Sequence, residues 1–156
     1  MSIEAIHDWM VKHHKTLALA ESCTGGFMAS QLTALPGASD YFLGSIVTYA
    51  NQLKEDLLDV SPETLKKHGA VSREVVHEMW TGLMQKTGAD YGIAVSGIAG
   101  PQGGTAAKPI GTIFYALGKK GEKPEAAILH FKGNRQIVIS QTTKELFGLL
   151  LKKIGL

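Results

Sequence analysis

Three short stretches of the sequence combine nucleophilic, basic and hydrogen-bonding side chains at spacings from which a reaction can be built. The first is ESCTGG at residues 21–26, where Ser22, Cys23 and Thr24 precede Gly25 and Gly26. A short apolar run leads into it and an apolar-periodic segment follows, which is the pattern of strand, turn and helix. Such a turn sets free backbone N–H groups and the positive end of a helix dipole beside the hydroxyls, a place suited to an anion or a developing oxyanion. The plainer alternative is that Ser22 or Thr24 caps the helix and the glycines allow tight packing.

The second stretch, TYANQLK at 48–54, sets Tyr49 and Asn51 two apart at a strand end and Lys54 three further on. If a helix begins near Asn51, then Asn51 and Lys54 share a face, and a phenol, an amide and an amine converge. An interfacial tyrosine beside a solvated lysine is the competing reading. The third stretch is the 97–109 segment, GIAGPQGGTAAKP, with Gly97, Gly100, Gly103, Gly104 and Thr105, preceded by Ser96. It lacks the glycine-lysine-serine/threonine run of a P-loop and the G-x-G-x-x-G spacing of a dinucleotide fingerprint. What remains is an irregular nest of backbone amides suited to a phosphate, ribose or carboxamide. Arg135, just ahead of the last helical pattern, is a candidate phosphate contact.

The elements that must position these groups follow from periodicity. Helices are expected over 3–14, about 26–35, 51–58, 62–68, from the Ser72 cap to before Gly88, and over 136–154. Strands are expected over 16–20, 41–49, 91–96, 110–117 and 126–131. Leu53 and Leu57 give the third helix its helical spacing, and Ile137, Leu146, Leu149 and Leu150 are core candidates of the last one. Alternation of helices and strands, closing on a strand pair and a helix, implies one α/β domain over 1–156. The expected architecture is a three-layer α/β/α sandwich with a mixed β-sheet.

Composition excludes several function classes. Of 156 residues, 44% are hydrophobic and 19% charged, enough to build one core and too apolar for a disordered chain. A net charge of +2 from scattered residues is too weak a field to argue for nucleic acid or an anionic membrane. No apolar stretch is long enough to span a bilayer, and the N-terminus does not read as a secretory signal, so a soluble cytoplasmic protein is expected. The lone Cys23 cannot form an internal disulfide or a structural zinc site. The six histidines (His7, His13, His14, His68, His77 and His130) show no metal-binding spacing, so no metal is expected. Glycine, at 18 residues, is the one excess, and its clusters at 25–26 and 97–104 mark places where backbone comes close to something.

Six motifs in order, AESCTGG at 20–26, PG at 36–37, VTYAN with Lys54, HGAVS at 68–72, SGIAGPQGG at 96–104 and KPIGT at 108–112, resemble the C-terminal domain of the CinA competence/damage-inducible family. The resemblance covers nearly the whole chain. Longer members of that family carry an N-terminal domain similar to molybdopterin-binding proteins, and none is expected in these 156 residues. Stand-alone members are nicotinamide-nucleotide amidases. The resemblance therefore implies metal-free, cofactor-free hydrolysis of the carboxamide of nicotinamide mononucleotide in pyridine nucleotide recycling, by a protein that is commonly a homodimer. It also implies Ser22 as nucleophile with Tyr49 and Lys54 as its activating partners. A lysine serves as base only if its pKa is lowered, and Tyr49 is expected to relay between amine and hydroxyl. The N–H groups of Thr24, Gly25 and Gly26 are the expected oxyanion donors. Asn51, Ser96, the loop glycines, Thr105 and Arg135 are the expected nucleotide contacts. Cys23 is the rival nucleophile, but adjacent strand-end residues point opposite ways, so only one of the pair should face the site. Departures from the family pattern are Ala50 in place of serine, and FKGNR in place of FPGDR, which puts Asn134 where aspartate is usual. A catalytically silent nucleotide-binding module of the same family is the alternative function, and a hydrolase for another small amide is a third.

Overall fold

The structure, a computed structural model, describes residues 3–156. Six helices and five strands run in the order α1 (Ile3–Lys12), β1 (Leu17–Glu21), α2 (Phe27–Thr33), β2 (Phe42–Val47), α3 (Asn51–Leu58), α4 (Pro62–His68), α5 (Arg73–Thr87), β3 (Tyr91–Gly97), β4 (Thr112–Lys119), β5 (Glu125–His130) and α6 (Arg135–Lys153). The sheet order is β2-β1-β3-β4-β5. β2, β1 and β3 are parallel, whereas β4 is antiparallel to both β3 and β5. The expected mixed sheet between helical layers is thus observed.

Strand alternation divides the core in two. Leu17 and Leu19 of β1, Ile93 and Val95 of β3, and Ile113, Tyr115 and Leu117 of β4 face one way, into a cluster with Ile6 and Met10 of α1, Met28 and Leu32 of α2, and Leu146 and Leu150 of α6. The opposite face carries small residues in register across three strands. Ala18 pairs with Gly92 and Gly92 with Gly118, while Ala20 pairs with Ala94 and Ala94 with Ala116. This flat strip lets α5 lie close to the sheet, filling the space with Val75, Val76, Met79, Trp80 and Leu83. Trp80 also donates its indole N–H to Gly92 O at 3.0 Å. The bulky side chains sit on the helix because the sheet leaves them room, and side-chain volume is conserved across the layer.

Caps set the helix starts. Ser72 Oγ accepts from Val75 N at 3.3 Å at the start of α5, and Asn134 Oδ1 accepts from Ile137 N at 3.0 Å at the start of α6. Asn134 therefore does at this position the capping that an aspartate would do. Ala50, the N-cap of α3, makes no side-chain capping bond.

Two helices turn inward faces that apolar spacing alone does not give. On α3 the buried residues are Lys54 and Leu58, while Leu53 and Leu57 are about 40% exposed. The helix is turned so that an amine, rather than the leucine pair, points at the sheet. On α6, Ile137 is exposed and Val138 takes its place in the core.

At Gly82, where α5 crosses the end of α3, a Cβ would lie 1.9 Å from the backbone oxygen of Leu58. The obstruction is main chain and cannot rotate away. Gly82→Ala, which helix propensity alone would make stabilising, is expected instead to lower stability by about 1–3 kcal/mol, as read from the urea midpoint.

Candidate active site

The C-terminal ends of the three parallel strands open into a cleft of about 220 Å³, bordered by the starts of α3 and α6. Ser22, Cys23, Tyr49, Asn51, Lys54, Ala70, Val71, Ser96, Gly97, Ala99 and Arg135 line it. The first and second sequence stretches therefore meet, joined by the beginning of the third.

Ser22 is held in place by a carboxylate that it does not touch. Glu21 is fully buried. Its Oε2 accepts from Thr24 Oγ1 at 2.7 Å, Gly26 N at 3.1 Å and Met28 N at 3.1 Å. Its Oε1 accepts from Ala29 N at 3.1 Å and Ser45 Oγ at 2.9 Å. The N-terminus of α2 does bind an anion, as its dipole favours, but the anion is the protein's own. Gly25 and Gly26, at φ of 56° and 97°, let the turn curl over this carboxylate.

This corrects the expected oxyanion donors. Thr24 spends its hydroxyl on Glu21, Gly26 spends its N–H there too, and Gly25 N donates to Ser22 O at 3.0 Å. Among the described residues, the N–H groups of Cys23 and Thr24 donate to no other backbone group, and they follow Ser22 directly in the chain.

On the opposite face of β1, Ser22 meets Lys54. The Nζ–Oγ distance is 2.9 Å, and Nζ lies 2.7 Å from Thr48 O and 3.3 Å from Tyr49 O. Lys54 is fully buried, and none of the ion pairs among the described residues involves it. Burial holds its pKa below the ordinary lysine value of 10.5, with the neighbouring Cys23 a smaller opposing influence. A neutral amine has two N–H donors and one lone pair. The two carbonyls can take the donors, which leaves the lone pair facing the Ser22 hydroxyl.

Tyr49 occupies a different place from the one expected. Its carbonyl reaches Lys54, but its phenol is 60% exposed. The phenolic oxygen accepts from Arg135 Nη2 at 2.7 Å. The direct contact of Lys54 with Ser22 leaves no gap for a relay to bridge. Arg135 also donates from Nη1 to Gly100 O at 2.9 Å. It is oriented by the phenol and the loop carbonyl, and Asn134 is free to cap α6.

Cys23 touches the same cleft as Ser22, against the expectation that only one of them would. Its thiol nonetheless belongs to the core cluster on the α1/α2/α6 side. Burial pushes the thiol pKa up to about 12, so it stays protonated and a poor nucleophile. In the third stretch, Ser96 and Gly97 line the cleft and Gly100 borders it through Arg135, but Gly103, Gly104 and Thr105 are exposed outside the lining. Thr105 closes its own turn, its Oγ1 accepting from Lys108 N at 3.0 Å. A Cβ on Gly97 or Gly104 would strike backbone of the chain itself, Thr112 O at 2.8 Å and Ile110 N at 2.9 Å respectively. These glycines admit the protein's own chain. Asn51, the first residue of α3, is exposed at the cleft rim. Among the described residues, no three His, Cys, Asp or Glu side chains gather to hold a metal ion, and no helix is long and apolar enough to cross a membrane.

Comparison with known proteins agrees with this architecture. A CinA-like protein of Desulfosudis oleivorans is 51% identical over 142 residues, covering 90% of this chain and 33% of its own length. A putative competence-damage inducible protein of Moorella thermoacetica is 43% identical over 145 residues, covering 93% of this chain and 35% of its own. The chain thus spans about a third of the length of these relatives. Among solved structures, the competence damage-inducible protein A of Klebsiella pneumoniae superposes with a TM-score of 0.93 at 34% identity, over 97% of this chain and 94% of that one. A CinA superfamily protein of Escherichia coli gives 0.90 at 34% identity, over 96% and 86%. The family model described as CinA C-terminal domain matches residues 2–154, nearly every element that builds the cleft, and the chain belongs to that family.

Proposed function

We propose that this cleft is a serine amidohydrolase centre that removes ammonia from the carboxamide of nicotinamide mononucleotide, giving nicotinate mononucleotide. The observation that carries the reading is the 2.9 Å contact between a buried lysine amine, with no carboxylate partner among the described residues, and a serine hydroxyl at a strand end. The arrangement pairs a nucleophile with a base whose pKa burial has lowered toward the working range.

In the proposed reaction, the Lys54 amine takes the Ser22 proton as Oγ attacks the carboxamide carbon. The N–H groups of Cys23 and Thr24 receive the oxyanion. The C–N bond then breaks as the nitrogen gains, in net, the proton that Lys54 took from Ser22; ammonia leaves and the Lys54 amine is free again. Water, deprotonated by the same amine, hydrolyses the acyl-enzyme. Arg135, at the cleft mouth and held by the Tyr49 phenol and Gly100 O, suits the nucleotide phosphate. The substrate would enter as a single small molecule, with no cofactor. In this reading the protein acts in the cytoplasm, as a homodimer.

A coupled ammonia assay with nicotinamide mononucleotide tests the reading. Ser22→Ala is expected to abolish release, whereas Cys23→Ser should retain it; the opposite pattern would transfer the nucleophile to the thiol. Nucleotide binding with no ammonia from the wild type would reduce the protein to a silent binding module, and turnover of other carboxamides alone would change the substrate.

Lys54 gives a second test. Its free-amine fraction grows with pH, so kcat/KM should rise through a limb whose midpoint lies below 10.5, because burial lowers its pKa. Lys54→Arg keeps the charge but cannot supply a neutral base, and should lose about 100-fold or more in rate. An unchanged pH profile in that variant would remove Lys54 from the role of base.

A further inference from the structure

The register of the parallel strands places a row of hydroxyls across the sheet. Glu21 is opposite Val47 on β2 and Val95 on β3. One residue further, Thr48 N donates to Glu21 O at 2.8 Å and Ser22 N to Val95 O at 3.1 Å, which continues the pairing. Thr48, Ser22 and Ser96 therefore stand side by side at the strand ends, with neighbouring strands about 4.8 Å apart. Alternation turns all three away from the face occupied by Glu21 and Val95, toward the side from which Lys54 descends.

The three hydroxyls differ in what they can reach. Thr48 Oγ1 is sealed in and has no partner. Ser22 Oγ is engaged by Lys54. Ser96 is 1% exposed and lines the cleft, and among the described residues its hydroxyl has no hydrogen bond assigned. A nearly buried hydroxyl with an open donor and acceptor, one strand from the nucleophile, is placed to touch a bound carboxamide.

Resting on the amidase reading, the chemistry leaves one task without a group. After attack, Lys54 is an ammonium with hydrogens directed at Thr48 O, Tyr49 O and the Ser22 oxygen. None of these directions is the amide nitrogen, which cannot leave as an anion. We propose that Ser96 is a further catalytic residue that hands the proton to the leaving nitrogen. Its O–H bond breaks as an N–H bond forms on the tetrahedral intermediate. The carbon–nitrogen bond then cleaves to ammonia, and a water molecule in the cleft carries the proton from the Lys54 ammonium to the Ser96 oxygen, which restores the hydroxyl. The acyl-enzyme and the free amine of Lys54 remain, so protons and charge balance.

A relay is separable from a structural role because only some leaving groups need the proton. The experiment compares wild type and Ser96→Ala in two reactions: ammonia release from nicotinamide mononucleotide, and covalent labelling of Ser22 by an alkyl fluorophosphonate, from which fluoride departs unaided. The variant is expected to label within about twofold of wild type while losing on the order of 10²–10⁴ in deamidation. Ser96→Thr, which restores a hydroxyl, should recover part of that loss. Equal deamidation by wild type and variant overturns the proposal, as does a parallel fall in both reactions. A wild type that labels at Ser22 but releases no ammonia overturns the amidase reading, and the relay with it.

Discussion

Everything at the cleft depends on the Glu21 carboxylate, which is buried, has no counter-cation among the described residues and is satisfied by backbone N–H groups around the start of α2 and the hydroxyls of Thr24 and Ser45. An ionised carboxylate removed from water is very unfavourable unless each lone pair is met by a donor. Meeting them forces α2 to begin where it does. It curls the 22–26 turn through two left-handed glycines and ties the edge strand β2 to β1 through Ser45. Ser22, the next residue after Glu21, is consequently fixed on the other face of the strand. Two buried charge-bearing side chains thus flank β1 from opposite sides, Glu21 toward α2 and Lys54 from α3.

The second constraint is the small-residue strip under α5. Because Ala18, Ala20, Gly92, Ala94, Ala116 and Gly118 keep that face of the sheet flat, α5 sits low. The end of α3 then rests against Gly82. The depth of α3 in turn carries Lys54 to within hydrogen-bonding distance of Ser22. A packing decision made across the sheet thereby sets the distance between an amine and a hydroxyl in the cleft.

Much of this was legible in the sequence, for reasons visible at particular residues. The run LALAE before ESCTGG could only be a short buried strand, and Ser72 and Pro62 marked helix starts by their capping chemistry. Ser22 and Lys54 stood out as reactive groups, and the roles of nucleophile and base came only from the family resemblance. The orientation of α3 was not legible, because amphipathic spacing favours Leu53 and Leu57 as the inward pair and burial of Lys54 runs against it. Local preference fails there because tertiary packing overrides it. The role of Glu21 was hidden for another reason: its partners, from Thr24 to Ser45, are assembled by tertiary structure. The one available sign was an acidic residue closing an otherwise apolar strand. The glycines were visible as a cluster but not by purpose. Gly97 and Gly104 make room for neighbouring backbone, and only the turn at Gly25 and Gly26 shapes the site.

Burial of Lys54 couples the proton on its amine to the stability of the whole domain. In the unfolded chain the amine holds its proton up to about 10.5, whereas in the fold it releases it at lower pH. Between those two values the unfolded state binds more protons, so raising the pH strengthens folding through this group, and lowering it returns the full penalty of an ammonium sealed beneath α3. The deprotonated form, whose lone pair faces the Ser22 hydroxyl, is also the form the core tolerates. The stability of the fold and the state of the amine beside Ser22 are therefore set by the same proton.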